Sequence, residues 1–268
     1  MTGLSYSVCG LVTPLVRVGD DMTAHILDAA ERSGCGGLKT GDVLVVAESA
    51  LATAEGRIAH LEDIEPTPEA LRLAGEYGMD PRLVEVVLRE SDQVVGGIPG
   101  FLLCMKGGTL LPNAGIDASN APFGSVVLLP VDPDASAARI RARIAERTGA
   151  DVGVIIADSR THAMRLGCSG VAIGCSGIPS VLDERGKQDL FGRELEVTKR
   201  AAADCIASAA ELVMGEADEC VPAVIVRGTG LPIGDYDGVD TIDASECLFM
   251  GVALHTDPSL LVDSKGKP

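Results

Sequence analysis

Short apolar runs separated by glycine constrain the fold of this 268-residue chain more than any other feature. Its thirty-two glycines are spread along the chain rather than collected in a linker, which indicates many tight turns between short elements. Aromatic residues make up only 3% and tryptophan is absent, so the core must be built from Val, Ile, Leu and Ala. With 46% hydrophobic residues, the chain can bury one large core or two smaller ones.

Residue periodicity predicts helices and strands in an irregular order. Proline or aspartate opens most of the predicted helices, and runs of Val, Ile and Leu form the predicted strands. Because the order lacks the steady βαβ rhythm of a doubly wound sheet, we expect an α+β fold. The tail at 263–268 is expected to be solvated. The predicted helices are the segment from the Gly19–Asp21 cap to Arg32, 66–74, 81–90, 135–148 (capped by Asp134) and 198–214; the predicted strands are 5–17, 42–51, 91–97, 101–111 (a hairpin turning at Gly107–Gly108), 125–129, 151–157 and 221–226.

The acidic charge excludes two classes of partner. A formal net charge of −17 argues against binding to nucleic acid or to an anionic membrane. The N-terminus lacks a basic region followed by an apolar stretch, and no apolar run approaches membrane-spanning length. We therefore expect a soluble, cytoplasmic protein. The excess of Asp and Glu is equally consistent with adaptation to a saline cytoplasm.

The eight cysteines are scattered and form no CxxC pair. We expect reduced thiols, most of them buried, where a cysteine behaves as a small hydrophobic residue. Cys168 and Cys175 are closest in sequence, but their spacing and the lack of a nearby histidine do not predict a zinc site.

Two acidic residues lie where apolar strands are predicted to end. The segment 113–120 follows one apolar run and exposes Asp117 and Asn120 on a turn that needs glycine for its backbone angle. Asp158, followed by Ser159, ends the run at 152–157. Alone, the first segment could be an ordinary polar β-turn. Together, the two carboxylates and a hydroxyl are what a hard divalent cation bound to phosphate requires.

Several motifs in order give the chain a specific resemblance. These motifs are Pro14–Asp21, Ala54–Arg57, Asn113–Asn120, Val171–Gly174, Gly192–Thr198 and Leu212–Glu216. With them in this order between Gly10 and about Gly230, the chain resembles the family of coenzyme F420-0:L-glutamate ligases.

The resemblance implies GTP-dependent amide synthesis through an acyl phosphate, in which L-glutamate is added to the deazaflavin coenzyme F420-0. It also implies Mg²⁺ or Mn²⁺, with K⁺ as a further candidate ion, and a homodimer. The whole chain, 1–268, would form a single ligase-like unit of two closely packed mixed lobes, the second built mainly from the middle and C-terminal parts. By resemblance, the catalytic metal ligands are Asp117 and Asp158 with Ser159, and the nucleotide contacts are Pro14, Leu15, Val16, Arg17, Ser49 beside Glu48, and Asn120.

Departures from the family pattern leave alternatives open. Thr53 stands where the family usually has a lysine that contacts phosphate, and Glu48 where it tends to have a small polar or amide residue. His162 replaces an arginine. The chain could therefore be a paralogue that ligates a different acid and amine, or a non-catalytic protein that binds a nucleotide or coenzyme. Arg193 and Arg227 are either anion contacts or halves of structural ion pairs.

Overall fold

The computed structural model describes residues 5–236 and 238–253. None of the helices within these ranges is both long and apolar enough to cross a membrane. The strands are β1 (Ser7–Leu11), β2 (Val43–Ala47), β3 (Ile58–His60), β4 (Gln93–Ile98), β5 (Phe101–Lys106), β6 (Thr109–Pro112), β7 (Ser125–Val127), β8 (Gly153–Thr161), β9 (Cys168–Ser176), β10 (Val181–Asp183), β11 (Lys199–Ala201) and β12 (Ala223–Arg227). The helices are α1 (Met22–Arg32), α2 (Glu48–Ala54), α3 (Pro68–Tyr77), α4 (Pro81–Glu90), α5 (Pro133–Thr148), α6 (Ala202–Met214) and α7 (Leu248–Ala253).

A five-stranded mixed sheet forms the centre of the molecule. Its strand order is β1-β12-β2-β8-β9, and β2 and β8 are parallel while the other neighbours are antiparallel. Because successive strand residues face opposite sides, Leu44 and Val154 point into a core shared with α1 and α5. Val45 and Ile155 point into a second core beneath α6. Helices on both faces explain why β2 is apolar at every position.

The middle of the chain, residues 59–128, forms a third core of its own. There α3 and α4 pack against a three-stranded antiparallel sheet, β4-β5-β6, and a two-stranded sheet, β3-β7. The mixed central sheet together with separate antiparallel sheets confirms the expected α+β class. The division of residues 1–268 into lobes stays a prediction.

Residue patterns in the sequence predicted most of the helices and strands. Several of the observed boundaries differ from the predicted ones, because strand pairing or helix formation extends or shortens the element. The helix ending at Arg32 and the helix at Pro81–Glu90 are confirmed. The strand predicted to run to Leu51 is wrong beyond Ala47, because the next residues coil into α2. An apolar run that includes alanine suits a helix as well as a strand.

Three further boundaries are corrected by specific contacts. The strand predicted to end at residue 157 continues as β8 to Thr161, because its pairing with the unpredicted strand β9 extends the ladder. Residues 199–201 are strand rather than helix, since they pair with β10. Asp132, not Asp134, caps α5, and its carboxylate accepts a hydrogen bond from the Ala135 amide at 2.9 Å.

The cysteine expectation is wrong for several residues. The structure joins Cys9 on β1 to Cys35, in the loop after α1, in a disulfide. Of the free thiols in the described ranges, those of Cys104 and Cys175 are buried. Three others are exposed: Cys168, Cys205 and Cys220.

Candidate active site

Two carboxylates meet where strand β2 gives way to a helix. In the parallel pair β2 and β8, Ala47 is in register with Ala157, and the residue after each is acidic: Glu48 begins α2, and Asp158 continues β8. Neighbouring strands lie about 4.8 Å apart. The alternation of side chains directs Asp158 to the same face as Val154 and Ile156. Asp158 was expected at a strand end; β8 passes through it, and it is the adjacent strand that ends there.

The surroundings of this pair are strongly anionic. Burial raises the pKa of Asp158, Arg160 opposes that rise through a 2.9 Å contact from its Nε to the carboxylate, and the charge of Asp117 adds to it. Glu48, the first residue of α2, is half-buried. Burial raises the pKa of Glu48 well above its usual value, and the charges of Asp158 and Asp117 add to this effect. A bound cation would favour the ionised forms of Asp158 and Glu48.

The turn that carries Asp117 needs an unusual backbone. Asn113, Ala114 and Gly115 have φ angles of 49°, 56° and 73°, the left-handed region that glycine adopts most easily. A Cβ atom at Gly115 would lie 2.6 Å from the side chain of Leu129. The side-chain oxygen of Asn113 accepts a hydrogen bond from the amide of Leu102 at 2.9 Å and so anchors the turn to β5. The expected glycine-dependent turn is thus present.

The Asp117 carboxylate is exposed and oriented by its own loop. Its backbone pairs with Val127 on β7, and its carboxylate accepts hydrogen bonds from the amide of Ser119, at 2.8 Å, and from the Ser119 hydroxyl. Such local bonds fix an aspartate at a turn. Asn120 follows in the same exposed loop, with φ of 52°. The charge of Asp117, on a segment that pairs with β7, acts on both Glu48 and Asp158.

Most of the residues expected to contact nucleotide lie around helix α2. Ser49 is the second residue of α2, and Thr53 lies near its end. The segment Pro14–Arg17 passes the same helix, because the amide of Gly19 donates to the carbonyl of Ala54 at 2.9 Å. Within it, Val16 is half-buried against the core while Pro14, Leu15 and Arg17 are exposed.

Sequence reasoning missed a third set of groups beside the acidic pair. Cys168 on β9, Glu211 in the last turn of α6 and Glu216 just after that helix have ligand atoms within 4.8 Å of one another. Burial raises the pKa of Glu211 to about 7, and Glu216 and Asp158 contribute to the rise. Glu211 Oε2 is buried without a hydrogen-bond partner in the described residues. These residues come together because β9 packs against α6. No pattern in the sequence predicts that packing.

Three other residues that the sequence analysis singled out are described next; none of them forms a hydrogen bond with Glu48 or Asp117 in the described residues. Ser159 is exposed, and the alternation of strand β8 directs its side chain to the face opposite Asp158, so its role stays a prediction. His162 Nε2 lies 2.7 Å from the Ser169 hydroxyl in the β8–β9 turn. Arg227 pairs with the buried Asp42, which confirms the structural interpretation of that arginine.

Comparison with known proteins gives one consistent result. A family model described as F420-0:gamma-glutamyl ligase matches residues 10–228. The chain is 49% identical over 224 residues to the coenzyme F420:L-glutamate ligase of Methanopyrus kandleri, a match that covers 83% of this chain and 86% of that protein. It is 45% identical to the protein of the same name from Methanothermobacter thermautotrophicus, over 80% and 85% of the two chains. For Methanocaldococcus jannaschii the identity is 40%, over 89% and 94%.

Proposed function

Because the chain belongs to the F420-0:gamma-glutamyl ligase family, we propose that it adds L-glutamate to coenzyme F420-0 in a reaction that consumes GTP and requires a divalent metal. The relatives' names support the class of enzyme, a ligase joining an acid to an amino acid. The observation that supports the metal-dependent part is electrostatic: the charges of Asp158 and Asp117 both act on Glu48, next to the end of β2, and that of Asp117 also acts on Asp158.

The proposed chemistry accounts for these residue types. A carboxylate does not condense with an amine in water, because its oxygen is a poor leaving group. In the proposal, an acceptor carboxylate oxygen attacks the γ-phosphorus of GTP and GDP leaves; the amine of glutamate then attacks the acyl phosphate and phosphate leaves. Such transfers depend on positioning and on neutralising phosphate charge rather than on a protein nucleophile.

Asp117 and Asp158 suit the metal that this reaction needs. Carboxylate oxygens are hard ligands and fit Mg²⁺ or Mn²⁺. When bound, the metal would neutralise charge on the transferring phosphoryl group. Ser159 and K⁺ remain further candidates, as a ligand and as an ion. In the proposal Pro14–Arg17, Ser49 and Asn120 contact the nucleotide, supported by the course of that segment along α2 and by the loop after Asp117.

A paralogue with another acid and amine is the second candidate. It is favoured by helix α2 itself, which carries the acidic Glu48 and the neutral Thr53. A non-catalytic protein that binds the nucleotide or the coenzyme is a further alternative based on the same helix.

A ligation assay distinguishes these possibilities. Purified protein is incubated with F420-0, L-glutamate, GTP and Mg²⁺ or Mn²⁺, with and without K⁺, and the products are measured by mass spectrometry. We expect a product heavier by one or more glutamyl units, released together with GDP. A Thr53→Lys variant is assayed in parallel, and it tests whether the absence of a lysine from α2 limits turnover. Turnover only in that variant would favour the non-catalytic protein, and metal-dependent GTP hydrolysis without a F420 product would favour the paralogue.

The proposal includes a homodimer, supported by an exposed apolar segment between β10 and β11. In it Leu190 is 99% exposed, Phe191 83% and Val197 85%, and exposed apolar clusters mark interaction surfaces. We expect light scattering to give twice the chain mass. Leu190→Asp with Phe191→Asp should yield monomers, whereas the control Leu71→Asp on α3 should not. A monomeric parent protein would contradict the homodimer.

A further inference from the structure

Arg160 is a well-covered cation whose guanidinium group is only partly used. Its side chain is 11% exposed, less than that of any other arginine or lysine that forms an ion pair within residues 5–236 and 238–253. Its Nε donates to the Asp158 carboxylate at 2.9 Å. The two Nη groups have no hydrogen-bond partner among the described residues, and they are not among the fully buried polar atoms that lack one. They therefore reach solvent and can meet a ligand.

Arg227 shows how a guanidinium group is used when its role is structural. It pairs with the buried Asp42 and also donates to two carbonyl groups, so its Nε and both of its Nη groups have partners. A covered cationic group is costly unless its donors are bonded. The Nη groups of Arg160 are therefore donors that remain for an anionic ligand.

Arg160 lies where the central sheet is open on one side. Strand β8 pairs with β2 only as far as Ala157, whereas its pairing with β9 continues to Thr161. The chain leaves β2 at this level as helix α2, which packs against β8. The last residues of β8 thus have β9 on one side and the start of α2 beside them. A ligand held along α2 would be next to Arg160.

Helix α2 and strand β8 together offer a phosphate group a single cation. Helix α2 contains no lysine or arginine, and Arg160 is the one basic residue of β8. In the function proposed above, Ser49 on α2 contacts the nucleotide and Asp158 on β8 holds the metal. A guanidinium group is planar and can bind two phosphate oxygens with parallel bonds. Within these two elements, Arg160 is the residue that can supply the positive charge a triphosphate needs.

We propose that Arg160 binds the γ-phosphoryl group of GTP through its Nη groups while its Nε remains bonded to Asp158. This inference rests on the proposed function, because that function supplies the nucleotide. During the transfer, a bond forms between the γ-phosphorus and the acceptor oxygen, and the bond from the γ-phosphorus to the GDP oxygen breaks. Arg160 neither gives nor takes a proton, since arginine stays charged in proteins. Its role is to neutralise the oxygens of the phosphoryl group that moves.

The test compares nucleotides that have and lack the γ-phosphate. The βγ-imido analogue of GTP and GDP are each titrated into the full chain in Mg²⁺ and followed by calorimetry. Arg160→Gln removes the charge, whereas Arg160→Lys keeps the charge and loses the planar fork. Arg32→Gln is the matched control, because Arg32 also pairs with an aspartate, Asp28, but is 59% exposed on α1.

We expect Arg160→Gln to bind the GTP analogue roughly 10- to 100-fold more weakly, as for the loss of a hydrogen bond to a charged group. GDP should bind to this variant as it does to the parent. Arg160→Lys should recover part of the affinity for the analogue, since an ammonium group offers no parallel pair of bonds. In the ligation assay, kcat should fall for Arg160→Gln while KM for L-glutamate stays unchanged. Arg32→Gln should match the parent in every measurement.

Thermal unfolding of each variant separates lost binding from lost folding. If Arg160→Gln is unfolded at the assay temperature, Arg160→Lys carries the test, because its charge can still pair with Asp158. Weaker binding of the analogue with unchanged binding of GDP then supports the inference. Parental affinity for both nucleotides overturns it.

Three further outcomes would overturn the inference, and they differ. An equal loss of affinity for GDP and for the analogue in Arg160→Gln would mean that Arg160 acts through Asp158 rather than on the γ-phosphate. Unchanged nucleotide binding with a higher KM for L-glutamate would mean that the ligand of Arg160 is a carboxylate. In both cases the proposed function stands. If the parent protein binds neither nucleotide, the proposed function fails and the inference fails with it.

Discussion

Asp117→Asn will abolish glutamate ligation and leave the fold intact. The carboxylate is exposed, and its contacts are with Ser119 in its own loop. Asparagine keeps a side-chain oxygen to accept the bond from the Ser119 amide, so the turn survives. Under the proposed function, what is lost is a charged oxygen ligand for the metal. A metal supplies several kcal/mol of transition-state stabilisation, so we expect turnover to fall on the order of a thousandfold.

The measurement combines activity with stability. GDP release and glutamylated product are followed for Asp117→Asn, and thermal unfolding is recorded in EDTA to remove the contribution of metal. Asp63→Asn, on another exposed turn, is the charge-matched control and should retain activity. An Asp117→Asn protein that turns over at the parental rate would remove this residue from the proposed metal site.

Arg227→Met will produce the largest loss of stability among the changes considered, about 3–5 kcal/mol in the free energy of unfolding. Asp42 is 1% exposed, and the arginine holds it with two contacts, of 2.8 and 2.7 Å. The same guanidinium donates to the carbonyls of Cys35 and Gly37, each at 2.8 Å. Methionine would leave the Asp42 carboxylate buried without its cation.

Urea unfolding will measure this loss as a lower midpoint at an unchanged slope. The double variant Asp42→Asn with Arg227→Met removes both charges and should recover part of the lost stability, because no uncompensated carboxylate remains. A loss below about 1 kcal/mol for Arg227→Met would mean that the pair behaves like a surface ion pair.

Local sequence signals were enough for much of the fold. Proline and aspartate at helix starts located α4 and α5 to within a few residues, and the run Val43–Val46 predicted β2 because it is apolar throughout. Asn113–Gly115 identified the turn before Asp117, since its backbone angles demand small or polar residues. These predictions depend on interactions within a few residues of one another.

The site itself depended on contacts that no local pattern encodes. Asp158 was expected at a strand end and Glu48 beside the nucleotide, but the effect of one on the other depends on the pairing of β2 with β8. Strand β9 was missed because Gly170 and Gly174 interrupt its apolar run. Both glycines are required by close packing, since a Cβ atom would lie 2.4 Å from the backbone of Ala207 or of Pro133 respectively. Tertiary packing, rather than strand propensity, selected those residues.

The strand order of the central sheet also determines when, during synthesis, all its strands can pair. β12 lies between β1 and β2, so that Leu11 pairs with Ala223 and Val46 pairs with the same residue from the other side. During synthesis, β1 has no neighbouring strand, and β2 has β8 on one side only, until the ribosome has released residues 223–227. Contacts so distant in sequence make folding slow. A chain truncated before residue 223 would therefore expose two unpaired strand edges, which are templates for aggregation.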